Sequence, residues 1–476
     1  MADTTDTIKP TLSFQRDKAD PVGSAAASKS AFYALLAVLL FAVAFGGGGS
    51  KYGLANLIVQ LAALTALAFH REAFFNFWKS APLLLRVLIA LSIALPLAYV
   101  IPLPPSVWHN MPGRELVAQS FGLVGEPGWA ALSVDPIRTM LALSALVVPL
   151  AVVTIGWRAS RDSLILAGWL IVSLALVNFA LGIPQVLSNS EVGVLYPENP
   201  MPGVLFGTFA NRNSTGLFLV SALSLASFLP VPPRFHSIAL PLRIGIMLFL
   251  IVAILLTRSR TALVLAALPL GLLALQMLLE RLNRRPGAKS TGAKAALFGL
   301  IPIALVLVVV AGLAAAAPGR IGDVADRFTS GGEDARSYIW EDAVYAADRY
   351  WPVGSGTGTF DDVFQIDESL ENMTLRKAGR AHNDYLELAI ETGLPGLALA
   401  AFWLCLIGWL CWRARTEPHR WIAWSGGAIL AVVALQSITD YPLRNMSMLA
   451  VAGFALCLLG RFTPDASSSR KQEILP

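Results

Sequence analysis

The chain is 476 residues long, 55% hydrophobic and only 14% charged, with a mean hydropathy of +0.63. Soluble domains carry roughly 25% charged residues, so a water-soluble globular protein is excluded. Continuous apolar runs, rather than short alternating ones, also exclude an outer-membrane barrel. The 36 Lys and Arg against 31 Asp and Glu leave a net charge of +5. In this composition the excess reads as loop charge that orients membrane helices, not as a nucleic-acid surface.

Residues 1–30 are polar and mixed in charge, with no basic stretch leading into a short apolar core, and are expected to form a cytoplasmic tail. Apolar runs follow near 31–46, 52–69, 82–101, 139–156, 163–182, 215–230, 238–256, 261–279, 295–317, 393–412, 421–439 and 446–460. A hydrocarbon core ~30 Å thick needs about 20 apolar residues per helix, so these runs predict about twelve spans. The expected architecture is an all-α polytopic membrane protein. Spans 1–9 occupy 31–317, a helical loop subdomain fills 318–392, spans 10–12 occupy 393–460, and a second tail covers 461–476. The three cysteines, Cys405, Cys411 and Cys457, lie in apolar stretches and offer neither a disulfide framework nor metal-ligand spacing.

Orientation follows from the basic residues of the short loops. Arg71 and Lys79, Arg158 and Arg161, Arg234, Arg281 to Lys294, and Arg413 to Arg420 all fall on the side of the two tails, which is therefore expected to be cytoplasmic. The opposite, outer side receives 102–138, 183–214 and 318–392, together with the short turns 47–51, 257–260 and 440–445. The turn Thr257-Arg258-Ser259-Arg260 then places two arginines outside, against the orientation bias.

In the segment 102–138, the start Pro102-Leu103-Pro104-Pro105 is followed by Trp108 and Arg114 and reads as an amphipathic piece on the membrane surface. Segment 318–392 holds 15 of the 31 acidic residues. Within it the apolar spacing of Ile339, Trp340, Ala343 and Ala347 predicts a helix over 334–350, ended by Pro352 and the glycines that follow.

None of the twelve apolar runs contains Asp or Glu, and only Arg86 and Arg243 are charged within them, near the span ends. Ion-coupled transporters place ionisable groups within the bilayer, so the spans read as a scaffold and the chemistry is expected at the outer face. Four outer segments concentrate polar side chains. Asn211, Arg212 and Asn213 open a span and, taken alone, read as a helix cap. Arg258 and Arg260 either snorkel to headgroups or clamp a diphosphate, and the orientation violation favours the clamp. Arg336 shares the loop helix with Trp340. Finally His382-Asn383-Asp384-Tyr385 leads to Glu391 and Gly393 just before a span. Imidazole is the side chain suited to proton transfer near neutral pH, while Asn383 also suits a helix cap. On a straight helix His382 and Glu391 lie on roughly opposite sides, so the two cannot address one atom unless the helix bends.

Two further motifs are set aside. Gly354-Ser-Gly-Thr-Gly358 lacks the Lys-Ser/Thr of a phosphate loop. Asp361, Asp362 and Asp367 lack a supporting ligand and read as a solvated acidic loop, with no metal expected.

Taken in order, Pro102…Trp108…Arg114, Asn211-Arg-Asn213, Arg258-Ser-Arg260-Thr-Ala, Arg336…Trp340, Pro352…Gly354-Ser-Gly, His382-Asn-Asp-Tyr-Leu…Glu391-Thr-Gly393 and Asp440-Tyr-Pro-Leu-Arg444 form a set. It resembles the O-antigen ligase and polymerase superfamily of bacterial inner-membrane glycosyltransferases, over most of the chain from about residue 100 onward. The resemblance implies a GT-C-like fold with its active site facing the periplasm. It implies a donor glycan on undecaprenyl diphosphate, an acceptor glycan or glycolipid such as lipid A–core, and an inverting transfer without metal or other cofactor. It places Arg258, Arg260 and Arg336 at the phosphates or first sugar, and His382 or Glu391 at the acceptor proton. Asn211, Asn213, Asn383, Tyr385 and Arg114 are expected to bind substrate, with membrane lipids as the remaining partners. A repeat-unit polymerase of the same superfamily and a lipid-linked-glycan transporter are the alternatives.

Overall fold

The computed structural model describes residues 22–125, 128–196, 201–283, 335–373 and 377–463. The helices in the first part of the chain are α1 (Val22–Phe45), α2 (Gly53–Phe69), α3 (Arg71–Ser80), α4 (Leu83–Val100), α5 (Pro105–Trp108), α6 (Glu115–Val124), α7 (Pro136–Ala145), α8 (Val147–Arg158) and α9 (Arg161–Leu187). They are followed by α10 (Arg212–Phe228), α11 (Ala239–Leu256), α12 (Arg260–Leu265), α13 (Ala267–Leu282), α14 (Ala335–Tyr350), α15 (Phe360–Asp367), α16 (Asp384–Ala414), α17 (Arg420–Gln436) and α18 (Met446–Arg461). Among the described residues the one sheet is a two-stranded antiparallel pair, in which Pro102 faces Ala131.

Eleven of the twelve expected apolar runs are helical, and the twelfth, 295–317, lies outside the described residues. By length alone, the described helices account for fewer than the twelve expected spans. Among the described residues, seven helical segments are long and apolar enough to cross a membrane, or eight if α2 and α3, bent by 77°, form one span. The shortfall has a geometric reason. Helices α10 and α17 have 17 residues and α18 has 16, or about 25 Å at 1.5 Å per residue, less than the ~30 Å core. All three are packed among other helices: every residue of α10 after Arg212 is buried.

Small residues permit this packing, as they do wherever apolar helices approach closely in a lipid solvent. A Cβ added at Gly426 of α17 would lie 2.4 Å from the Ala455 carbonyl oxygen of α18, and one at Gly216 of α10 would lie 2.4 Å from Ala262 of α12. The buried hydroxyls of α10 are satisfied locally or across the interface. Ser221 donates to Leu217 O at 2.8 Å, and Ser224 donates to Ser425 O at 3.1 Å.

The segments expected on one side of the membrane meet at one end of the bundle. There the Ala210 N–H donates to Gly47 O at 3.1 Å, the Asn445 amide to the same oxygen at 3.0 Å, and Arg380 to Ser50 Oγ at 2.7 Å. Basic loops meet at the other end, where Arg161 lies over the Phe462 ring at 5.4 Å and Arg461 donates to Ala159 O at 3.5 Å.

Helix α16 explains how the loop subdomain joins the bundle. It begins at Asp384, nine residues before the expected span, and it breaks at Gly393, whose φ is 56°. A side chain there would collide with the Pro352 carbonyl, so only glycine fits. The glycine-rich stretch 354–358 grips the broken turn. The Gly356 N–H donates to Glu391 O at 2.7 Å, the Ser355 N–H to Ile390 O at 2.9 Å, and the Leu394 N–H to Pro352 O at 2.9 Å. These glycines therefore bind backbone, in place of the backbone partners that the break removes.

Candidate functional site

Three turns and one helix start build the site, each shaped by a local rule. Asn211 caps α10 by accepting from the Asn213 N–H at 2.8 Å, and Ser259 caps α12 by accepting from the Ala262 N–H at 3.3 Å. Ser259 Oγ also donates to Asn213 Oδ1 at 2.7 Å, which pins the two helix starts together. Arg258 adopts a left-handed φ of 51°, so the turn sends its two arginines in different directions. Arg260 lines a cavity of about 590 Å³, whereas the Arg258 guanidinium lies beside Gly203.

Arg212, Arg260 and Arg336 converge on that cavity with Asn213, Gln436 and Thr439. Among the described residues no Asp or Glu lines it. Three guanidiniums gathered on one cavity make a concentrated cationic surface suited to an anion, because arginine stays protonated and its donors match phosphate oxygens. The mouth is apolar: Val264 of α12 and Leu435 of α17 line it and are 63% and 49% exposed. Arg336 is held in place from one turn along α14, where Trp340 Nε1 donates to Ala381 O at 2.7 Å, directly before His382.

His382 also has a left-handed φ, of 53°. Its Nδ1 lies 3.2 Å from Oδ1 of the buried Asp440, and its ring packs 5.0 Å from Tyr441. Asp440 adjoins Thr439 of the cavity wall and accepts from the Asn211 amide at 3.1 Å. Burial alone would raise the Asp440 carboxyl. The hydrogen bond and charge of His382, the Asn213 amide and the Arg336 charge outweigh it and hold the pKa below the ordinary value. The carboxylate therefore stays ionised and faces Nδ1, which leaves Nε2 as the ring nitrogen not engaged by Asp440.

Glu391 is elsewhere. It is fully buried, 2.7 Å from Arg444 Nη2, and accepts from the Phe360 N–H at 3.3 Å. Arg444 also meets Glu387 at 3.3 Å and Asp384 at 3.6 Å. Burial works against the guanidinium charge, but the three carboxylates raise its pKa above normal. This cluster ties the start of α16 to the turn that carries Asp440.

The structure thus brings together Arg260, Arg336, Asn211, Asn213 and His382, and separates the other expected residues from them. Arg258 and Glu391 face other partners, as described. Arg114, expected at substrate, is buried and donates to the carbonyls of Pro112 at 3.0 Å, Leu132 at 3.1 Å and Gly354 at 2.9 Å; it stitches 102–138 to the loop subdomain. Asn383 caps α16 by accepting from the Tyr385 and Leu386 N–H groups at 3.0 and 3.1 Å. The Tyr385 hydroxyl donates to Ala434 O at 3.0 Å. Asp361 is not merely solvated: it pairs with Arg138 at 3.2 Å and Lys377 at 3.0 Å. Sequence reasoning gave no role to Arg212, Asp440, Gln436 or Arg444. Asp440 and Arg444 stand in a quoted motif, and Arg212 sits between two chosen asparagines, but nothing in local spacing marks Gln436.

Fold and site define a multi-pass helical membrane protein with a cationic cavity at one end of its bundle. Residues 245–401, which include Arg260, Arg336, His382 and Glu391, match the family model described as O-antigen ligase. Over that stretch the chain is similar to the O-antigen ligase and polymerase superfamily. No protein of curated function matches the chain at a significant level.

Proposed function

We propose that the protein is an O-antigen-ligase-type glycosyltransferase of the bacterial inner membrane. It moves a surface glycan from undecaprenyl diphosphate to an acceptor sugar hydroxyl, on lipid A–core or a similar glycolipid, at the periplasmic face. The observation that carries this reading is the cavity lined by three arginines, set beside the His382–Asp440 pair. The apolar mouth between α12 and α17 suits a donor whose diphosphate is tethered to a lipid.

The chemistry follows from these groups. The acceptor oxygen attacks the anomeric carbon as the bond to the diphosphate breaks, with inversion. Arg212, Arg260 and Arg336 stabilise the charge that develops on the leaving group, so no metal is needed. His382 Nε2 takes the acceptor proton, and Asp440 stabilises the imidazolium that forms. Asn211 and Asn213 hold the cavity wall, and Glu391 holds Arg444 and with it the Asp440 turn. A polymerase would use the same groups with a second lipid-linked glycan as acceptor.

Two experiments test this. Loss of the gene should leave long glycan chains on the lipid carrier; unpolymerised single repeats would instead mean polymerase, and unchanged glycans would reject both. Purified protein in detergent should transfer glycan in EDTA, whereas activity abolished by EDTA and restored by Mg²⁺ would assign the phosphates to a metal. The proposed orientation has its own check, in a chain whose three cysteines are replaced by alanine. Gln365→Cys, exposed beyond α14, should react with an impermeant thiol reagent from the periplasm, and Thr416→Cys in the basic loop after α16 should not. The reverse pattern would invert the topology.

A further inference from the structure

We propose that Gln436 reads a hydroxyl of the sugar attached to the donor diphosphate, so that the cavity selects for the glycan's first residue as well as for phosphate. The inference rests on the donor reading given above. Gln436 ends α17, lines the cavity and is 1% exposed. Its Nε2 donates to the Asn213 carbonyl at 3.1 Å. A carbonyl accepts only from the NH₂ end of the amide, so this bond orients the group and leaves Oε1 as the other end. Oε1 is buried with no hydrogen-bond partner.

A buried amide oxygen without a donor is destabilising, and native proteins keep few of them outside working sites. Phosphate cannot supply the donor. The diphosphate presents acceptors, and these are matched by Arg212, Arg260 and Arg336, which are donors only. Asn213 Oδ1, the other amide oxygen in the wall, already accepts from Ser259. What Oε1 lacks is a hydroxyl close to the phosphates. In a lipid-diphosphate glycan the group joined directly to them is a sugar, whose hydroxyls both donate and accept. A site that hydrogen-bonds a substrate hydroxyl discriminates strongly against an analogue lacking it, because its own polar group is then left unpaired.

The test uses purified full-length protein in detergent and two probes: a polyprenyl diphosphate carrying one hexose, and the same lipid diphosphate without sugar. Wild-type protein should bind the hexose-bearing lipid roughly tenfold more tightly or better. Gln436→Met, similar in length but without the amide, should bring the two affinities within about threefold while binding of the bare diphosphate is retained. A second measurement needs no variant: replacing the hexose hydroxyls by hydrogen one at a time should, at one position, abolish the wild-type preference. A preference that survives Gln436→Met, or one that no single deoxy sugar weakens, overturns the inference and leaves the phosphate site intact. Failure of the wild type to bind either lipid overturns the donor reading, and the inference with it.

Discussion

Arg260→Lys is expected to insert and fold normally yet to transfer glycan ~10²–10³-fold more slowly, the usual cost of removing one preorganised donor from a developing charge. Lysine keeps the positive charge, so a loss of this size isolates the planar two-point fork of the guanidinium. The Arg258→Lys variant is the internal control. Its guanidinium lies beside Gly203, outside the cavity lining, and lysine there should stay close to wild-type rate. The measurement is transfer from a lipid-linked glycan by matched amounts of purified protein. Equal losses in both variants would restore a two-arginine clamp in the turn. Full activity in Arg260→Lys would remove it from the phosphates.

His382→Ala should lose ~10²–10⁴-fold in rate, the range of a positioned general base, with the donor KM little changed. Asp440→Asn separates proton transfer from mere packing. It preserves shape beside Nδ1 but removes the negative charge that stabilises an imidazolium, so kcat should fall while the protein still binds donor. Because the Asp440 pKa is depressed in the folded protein, its stabilising effect is fully present above the ordinary carboxylate range. That effect is lost only as pH falls through the lower folded value. Across neutral pH the pair should therefore change stability little, and the variants' defect should appear in rate. Wild-type turnover in both variants would leave the pair as a structural contact.

Much of this was legible in the sequence, because a lipid solvent imposes strong rules on composition. The apolar runs announce helices, and eleven of the twelve are found as such. The helix over 334–350 appears as Ala335–Tyr350. The caps at Asn211 and Asn383 are local hydrogen bonds that residue type predicts. Even the warning that His382 and Glu391 could not share a target on one straight helix anticipated their separate surroundings.

What sequence could not supply was direction and partnership. By itself it determined a polytopic helical membrane protein, because burial in lipid and periodicity act over short stretches of chain, and its loop motifs carried the resemblance to the superfamily. Only the tertiary structure decided which of those side chains meet. The left-handed backbone at Arg258 divided two adjacent arginines between cavity and loop, and the break at Gly393 let Glu391 turn inward to Arg444. Arg114 proved to be a buried stitch, and Asp440 came from 58 residues away to His382. Such pairings depend on how helices distant in sequence pack, and residue spacing within one segment carries no record of that.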